Sequence, residues 1–142
     1  MFVRLDHVGI VAPDLDEALK VFTDQLGLEL DTDRSPLPDG VYFAPEGTHN
    51  YFLDVADGET QLEILVPDNT TSGVARYLAK NGPGLHHLAY QCVSIGDETD
   101  RLKAAGLDQI DFGPGDPDRL SAAFFHPKSI NGILTELVNV RE

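Results

Sequence analysis

The chain repeats itself. A strand-like segment carrying a histidine opens each half, VRLDHVGIV at 3–11 and LHHLAYQCV at 85–93. A strand-like segment carrying a glutamate closes each, LEILVP at 62–67 and TELVNV at 135–140. Equivalent positions are offset by 80 residues for His7 and His87, 79 for Gly27 and Gly106, and 73 for Glu63 and Glu136. The falling offset places the longer loops in the first half. Such a duplication means two copies of one supersecondary unit, neither able to bury its apolar face alone, and this narrows the folds open to 142 residues.

The unit reads β-α-β-β-β. After the first strand, Asp14 is a plausible N-cap with Glu17 three residues on, and Leu15, Ala18, Leu19, Phe22 and Leu26 follow helical spacing up to the stop at Gly27. Residues 28–32 look extended, the turn-rich SPLPDG and APEG follow, and 50–55 and 60–66 form two strands across Asp57-Gly58. In the second half a helix starts near Ser94 and ends at Gly106-Leu107. Strands near 108–112, 120–125 and 133–140 follow, divided by GPGDP and HPKSING. A short helix near 72–80, capped by Ser72, joins the halves. The expected fold is α+β: one domain over 1–142, made of two tandem βαβββ modules at about 1–70 and 84–142 with a mixed sheet.

Strand alternation selects the chemistry-bearing side chains. His7 shares a face with Leu5, Gly9 and Val11; Asp6, Val8 and Ile10 share the other. Laying DHVGI over HHLAY matches His7 with His87, beside Ala89 and Gln91, and puts His86 with Leu88, Tyr90 and Cys92. The small Gly9 and Ala89 leave room for a ligand, so His87 is the candidate ligand and His86 a structural residue. Glu63 and Glu136 match in the same way, and each interrupts an apolar run where an unpaired charge is expensive. A divalent cation removes that cost, and a duplicated half-barrel can bring His7, Glu63, His87 and Glu136 into one cavity.

Charge narrows the partners. The net charge is −14, and residues 1–71 hold 15 acidic and 3 basic side chains against 9 and 7 in 72–142. That field disfavours nucleic acid and anionic membranes. No apolar run approaches the ~18 residues of a membrane span. The single cysteine, Cys92, excludes an internal disulfide framework and suits a reducing compartment. With an N-terminal segment unlike a signal peptide, the expected location is the cytoplasm.

The segments LDHVGIVAPDLDEALKVFTDQLGL, QLEILVP, SGVARYLAKNGPGLHHLAY and FFHPKSINGILTELV resemble the vicinal-oxygen-chelate superfamily (glyoxalase, bleomycin-resistance and dioxygenase proteins), and within it most closely the methylmalonyl-CoA epimerases. The resemblance covers nearly the whole chain and weakens between about 30 and 50. It implies paired modules in a cupped mixed sheet around a divalent metal (Co, Ni, Mn, Zn or Mg), a homodimer, and an acyl-CoA substrate. By position it implies His7, Glu63, His87 and Glu136 as ligands, although some epimerases carry glutamine where Glu63 stands. A thioester with an α-carboxylate can chelate such a metal, which stabilises the enolate left when the α-proton departs. Epimerisation needs proton exchange on both faces. The resemblance implicates Glu136 on one face and a glutamate in a PEQG-like loop on the other.

That loop departs from the family's pattern. APEG offers Glu46, one residue nearer its glycine, and LPDG offers Asp39, one place late; Glu46 is the preferred second acid/base and Asp39 the next. HPKS separates the chain from a glyoxalase I-type isomerase, whose group carries an Asp-Pro-type turn there. An extradiol dioxygenase needs two histidines, one carboxylate and open positions, one of which Glu63 would fill. A non-catalytic small-molecule binding protein of this superfamily usually lacks the full ligand set. Lys128 and Ser129 are open to substrate contact or to simple turn structure. Arg76 and Lys80 are open to coenzyme A phosphates or to a solvated helix face.

Overall fold

The structure, a computed structural model, describes residues 1–111 and 122–141. In chain order the elements are β1 (Phe2–Val11), α1 (Leu15–Leu19), β2 (Glu29–Leu30), β3 (Val41–Phe43), β4 (Thr48–Asp54), β5 (Gln61–Pro67), α2 (Gly73–Asn81), β6 (Gly84–Cys92), α3 (Ile95–Ala104), β7 (Ala122–Phe125) and β8 (Thr135–Asn139). The class is α+β with a mixed strand arrangement, as expected. The chain divides into two compact units: residues 8–86, and residues 1–7 together with 87–142.

In the 8–86 unit the strand order is β2-β4-β5-β1, with β3 on β4. The β4–β5 ladder is antiparallel and sets Phe52 against Glu63 and Tyr51 against Ile64. Because side chains alternate, Tyr51, Leu53 and Ile64 point to one face and pack with Ala12, Ala18, Leu15, Leu19 and Phe22. The opposite face carries Thr48, Asn50 and Phe52 with Glu63 and Leu65; Leu65 packs with Val11 and Val74 of α2. Asp14 caps α1, accepting the Glu17 N–H at 3.0 Å, and Ser72 caps α2 through the Ala75 N–H at 3.1 Å. Each such cap contributes about 1 kcal/mol.

Two features of this unit differ from the sequence reading. The helix after Asp14 is α-helical only to Leu19 and continues with π geometry over Lys20–Gln25 before Gly27 (φ 80°) ends it. The stretch read as turns also contains β3, which pairs Tyr42 with His49. Gly40 makes this possible: it holds φ 63°, and a Cβ there would lie 2.5 Å from the Asn50 carbonyl oxygen.

In the other unit the order is β1-β6-β8-β7. β6 and β8 are parallel, β7 and β8 antiparallel. Their core is Cys92, Ile95, Leu102, Ala123, Phe125 and Leu137, so Cys92 is a packing residue, and burial pushes its thiol pKa up. Ser94 caps α3. Of the strand expected near 108–112, Gln109 forms one bridge with Phe125. Around it the Ile110 N–H reaches Phe124 O, and the His126 N–H reaches Asp108 O. The GPGDP turn (113–117) and the start of the strand expected at 120 lie outside the described residues. HPKSING folds as a 3-10 turn over Pro127–Ser129, with Asn131 and Gly132 at positive φ.

Candidate metal centre

Three of the four proposed ligands converge. His7, His87 and Glu136 are buried, and one ligand atom from each lies within 4.8 Å of the others. The strand registers explain the meeting. Glu136 sits between Ala89 on β6 and Phe124 on β7, so its carboxylate shares the face of His87, two residues before Ala89. Ala89 is fully buried and offers only a methyl group, leaving the space above it to the longer neighbours. The His87 ring also meets Phe124 edge-on, with centroids 6.3 Å apart.

The separations are 3.1 Å between His7 Nε2 and His87 Nε2, 3.2 Å between His7 Nε2 and Glu136 Oε1, and 3.9 Å between His87 Nε2 and Glu136 Oε1. All three atoms of that triangle are about 2.0 Å from one interior point, the length of a first-row metal–nitrogen or metal–oxygen bond. Two imidazoles and a carboxylate are also a donor set that such ions accept. The residues therefore fit a divalent cation.

One neighbour escaped the sequence reading. Alternation assigns Asp6 to the face opposite His7, yet its fully buried carboxylate lies against the His7 ring, with Oδ2 2.6 Å from Nδ1. Its Oδ1 accepts from Gln91 Nε2 at 2.7 Å and Arg141 Nε at 2.8 Å. The reach of a side chain around the pleat is invisible to a period of two. The signal that singles out Glu63 and Glu136, an acid inside an apolar strand, applies equally to Asp6.

The other candidates sit as follows. Glu63 is buried on β5 opposite Phe52, in the 8–86 unit. Glu46, in the loop between β3 and β4, lays its carboxylate over the start of α2, where the Val74 N–H donates to Oε2 at 3.0 Å. A Cβ on Gly73 would lie 3.2 Å from Glu46 Oε1, so the glycine makes room for it. Asp39 presents its carbonyl to His49 Nδ1 at 2.8 Å. The ring of His86 packs edge-on against Tyr77, with centroids 5.0 Å apart, a packing role. Ser129 is engaged in its own turn: its hydroxyl donates to His126 O and accepts the Asp108 N–H. Arg76 and Lys80 are exposed on α2.

Comparison with known proteins identifies the family and the fold. The family model described as glyoxalase/bleomycin resistance protein/dioxygenase superfamily matches residues 6–124. The ethylmalonyl-CoA/methylmalonyl-CoA epimerase of Cereibacter sphaeroides is 35% identical, over 99% of this chain and 100% of its own length. The crystal structure of methylmalonyl-CoA epimerase from Mycobacterium tuberculosis superposes with a TM-score of 0.82 at 29% identity, covering 99% of this chain and 90% of that one. A variant of the Streptomyces coelicolor methylmalonyl-CoA epimerase, in complex with 2-nitronate-propionyl-CoA, gives 0.79 at 28% identity, covering 100% of both chains. The chain belongs to the glyoxalase/bleomycin resistance/dioxygenase superfamily and is an epimerase-like enzyme within it.

Proposed function

We propose that this enzyme is a metal-dependent epimerase of methylmalonyl-CoA or a closely related 2-substituted acyl-CoA, with His7, His87, Glu136 and Glu63 as ligands. The observation that carries the reading is the convergence of two imidazole nitrogens and a carboxylate oxygen at 3.1–3.9 Å in a buried site, in a chain similar over its whole length to acyl-CoA epimerases. A divalent cation held there supplies Lewis-acid polarisation of a thioester carbonyl, which acidifies the carbon beside it. Glu136 presents Oε1 to the imidazoles and keeps Oε2 for a proton at that carbon on one face. Glu46 serves the other face, with Asp39 as the alternative. The same proposal takes the chain as one domain of two βαβββ modules (about 1–70 and 84–142), working as a homodimer in the cytoplasm. No helix among the described residues is long and apolar enough to cross a membrane.

The HPKS segment, folded as a 3-10 turn at Pro127–Ser129, sets the chain apart from a glyoxalase I-type isomerase. The test offers both substrates to the metal-loaded protein. Single stereoisomers of methylmalonyl-CoA and ethylmalonyl-CoA are followed by chiral chromatography, and a glutathione hemithioacetal by absorbance. Interconversion of the acyl-CoA stereoisomers without hemithioacetal turnover is expected. The reverse result overturns the substrate assignment in favour of the isomerase.

A further inference from the structure

The buried carboxylate of Asp6 has a role in the site beyond balancing a charge. Oδ1 receives two donors that carry no acceptor lone pair at the contacting atom, the Gln91 amide nitrogen at 2.7 Å and the Arg141 Nε at 2.8 Å. Oδ2 lies 2.6 Å from Nδ1 of the His7 ring. A carboxylate in that company accepts, so His7 must donate from Nδ1. A neutral imidazole with its proton on Nδ1 has its lone pair on Nε2. Nε2 is the atom facing His87 and Glu136. Free imidazole side chains in water favour neither arrangement strongly enough to fix one; here the fold fixes it.

The state of Gln91 points the same way. Gln91 is 2% exposed, and among the described residues its amide oxygen has no hydrogen-bond partner while its nitrogen bonds Asp6. A buried amide leaves its oxygen unsatisfied only when turning it over would be worse, and here the turn would set that oxygen against a carboxylate. Arg141 completes the arrangement from 135 residues away in sequence, two residues past the strand that carries Glu136.

We infer that Asp6 is a positioning residue that locks His7 in its Nδ1–H tautomer and aims the Nε2 lone pair at the cation, and that Arg141 and Gln91 hold Asp6 for this task. The inference rests on the metal reading: Asp6 holds the proton on Nδ1 while Nε2 is given to the cation. Removing such a partner of a ligating histidine lowers metal affinity about 10–100-fold.

The test combines two measurements. Nitrogen-15 NMR of the zinc-loaded wild-type protein reads the two His7 nitrogens directly; a proton on Nδ1 and the metal on Nε2 are expected, and metal on Nδ1, or an Nδ1 without its proton, overturns the inference. Cobalt(II) is then titrated into wild type, Asp6→Asn, Arg141→Gln and Arg141→Lys, followed by d–d absorption. Asp6→Asn is expected to weaken cobalt about 10–100-fold and shift the spectrum, Arg141→Gln to weaken it less, and Arg141→Lys to recover part of the loss. A purely structural ion pair would lower the melting temperature while leaving affinity and spectrum within twofold of wild type, and that result refutes the assignment. Should Asp6→Asn fail to fold, the wild-type tautomer and the Arg141 pair decide. A wild type that binds neither zinc nor cobalt sinks the metal reading; one that binds both, with Asp6→Asn within twofold of it, sinks only the role of Asp6.

Discussion

Glu136→Gln separates the metal from the fold. The substitution preserves volume between Ala89 and Phe124 and replaces the carboxylate, whose Oε1 lies 3.2 and 3.9 Å from the two imidazole nitrogens, by a neutral amide. An amide nitrogen facing His7 Nε2 can donate to its lone pair, so the metal-free variant is expected to melt within a few degrees of wild type or above it. Metal loading is where the two proteins part. With free metal at 100 times the wild-type Kd, ligation stabilises the native state by about 2.7 kcal/mol. At about 3–4 °C per kcal/mol for a chain of this size, the melting temperature rises by about 8–11 °C. Losing the anionic ligand is expected to raise Kd at least ~100-fold, the upper end of what losing an outer partner costs. At the same metal concentration the variant then gains about 0.4 kcal/mol, or about 1–2 °C. Differential scanning with and without cobalt(II) reads all four melting temperatures. A full wild-type shift in Glu136→Gln would refute the ligand assignment. A metal-free variant far below wild type would show that the carboxylate serves the fold.

Two further predictions follow from particular contacts. Glu46→Gln is expected to retain metal and α2, because an amide oxygen can still accept the Val74 N–H now bonded at 3.0 Å, while exchange from one stereoisomer slows at least ~100-fold, the usual worth of a positioned acid/base. Wild-type exchange from both stereoisomers would make Glu46 a helix-capping residue and move the role to Asp39. Asp31 has its pKa lowered from 3.8, first by the Arg34 N–H it accepts at 3.0 Å, with the Gln61 amide adding to this and burial opposing it. A carboxylate with a depressed folded pKa contributes stability that is present above its unfolded value and lost as pH falls through the folded one. The urea midpoint of Asp31→Asn is therefore expected to fall below wild type at pH 7, with the gap closing below about pH 3.8. A gap unchanged at pH 2.5 would mean that the amide costs stability by geometry alone.

What the sequence made legible depended on whether a residue's signal was local to its strand. His7, His87 and Glu136 each interrupt an apolar strand at matching parity, and matching parity is what brings them together. For Glu63 the same signal led to a buried position on β5; its partners across strands depend on packing that no period reports. Asp6 carried the signal too, but alternation sets it on the face opposite His7, and only its side-chain contacts with Arg141, Gln91 and the His7 ring reveal the link. β3 was hidden for another reason. Three residues between Gly40 and Ala44 are too few to show alternation, and only pairing with β4 makes them a strand. The π geometry of Lys20–Gln25 was equally silent, since the apolar spacing of Leu19, Phe22 and Leu26 suits either helix. Helix starts were the most readable features. Asp14, Ser72 and Ser94 act through hydrogen bonds only three residues long.

The most direct measurement is α-proton exchange of methylmalonyl-CoA in deuterated water, run with metal-loaded and chelator-stripped protein. Deuterium entering from both stereoisomers, lost on stripping and restored by adding the divalent ion back, is the predicted result. A stripped protein that exchanges both at the loaded rate, or a loaded protein that exchanges neither, would contradict the account.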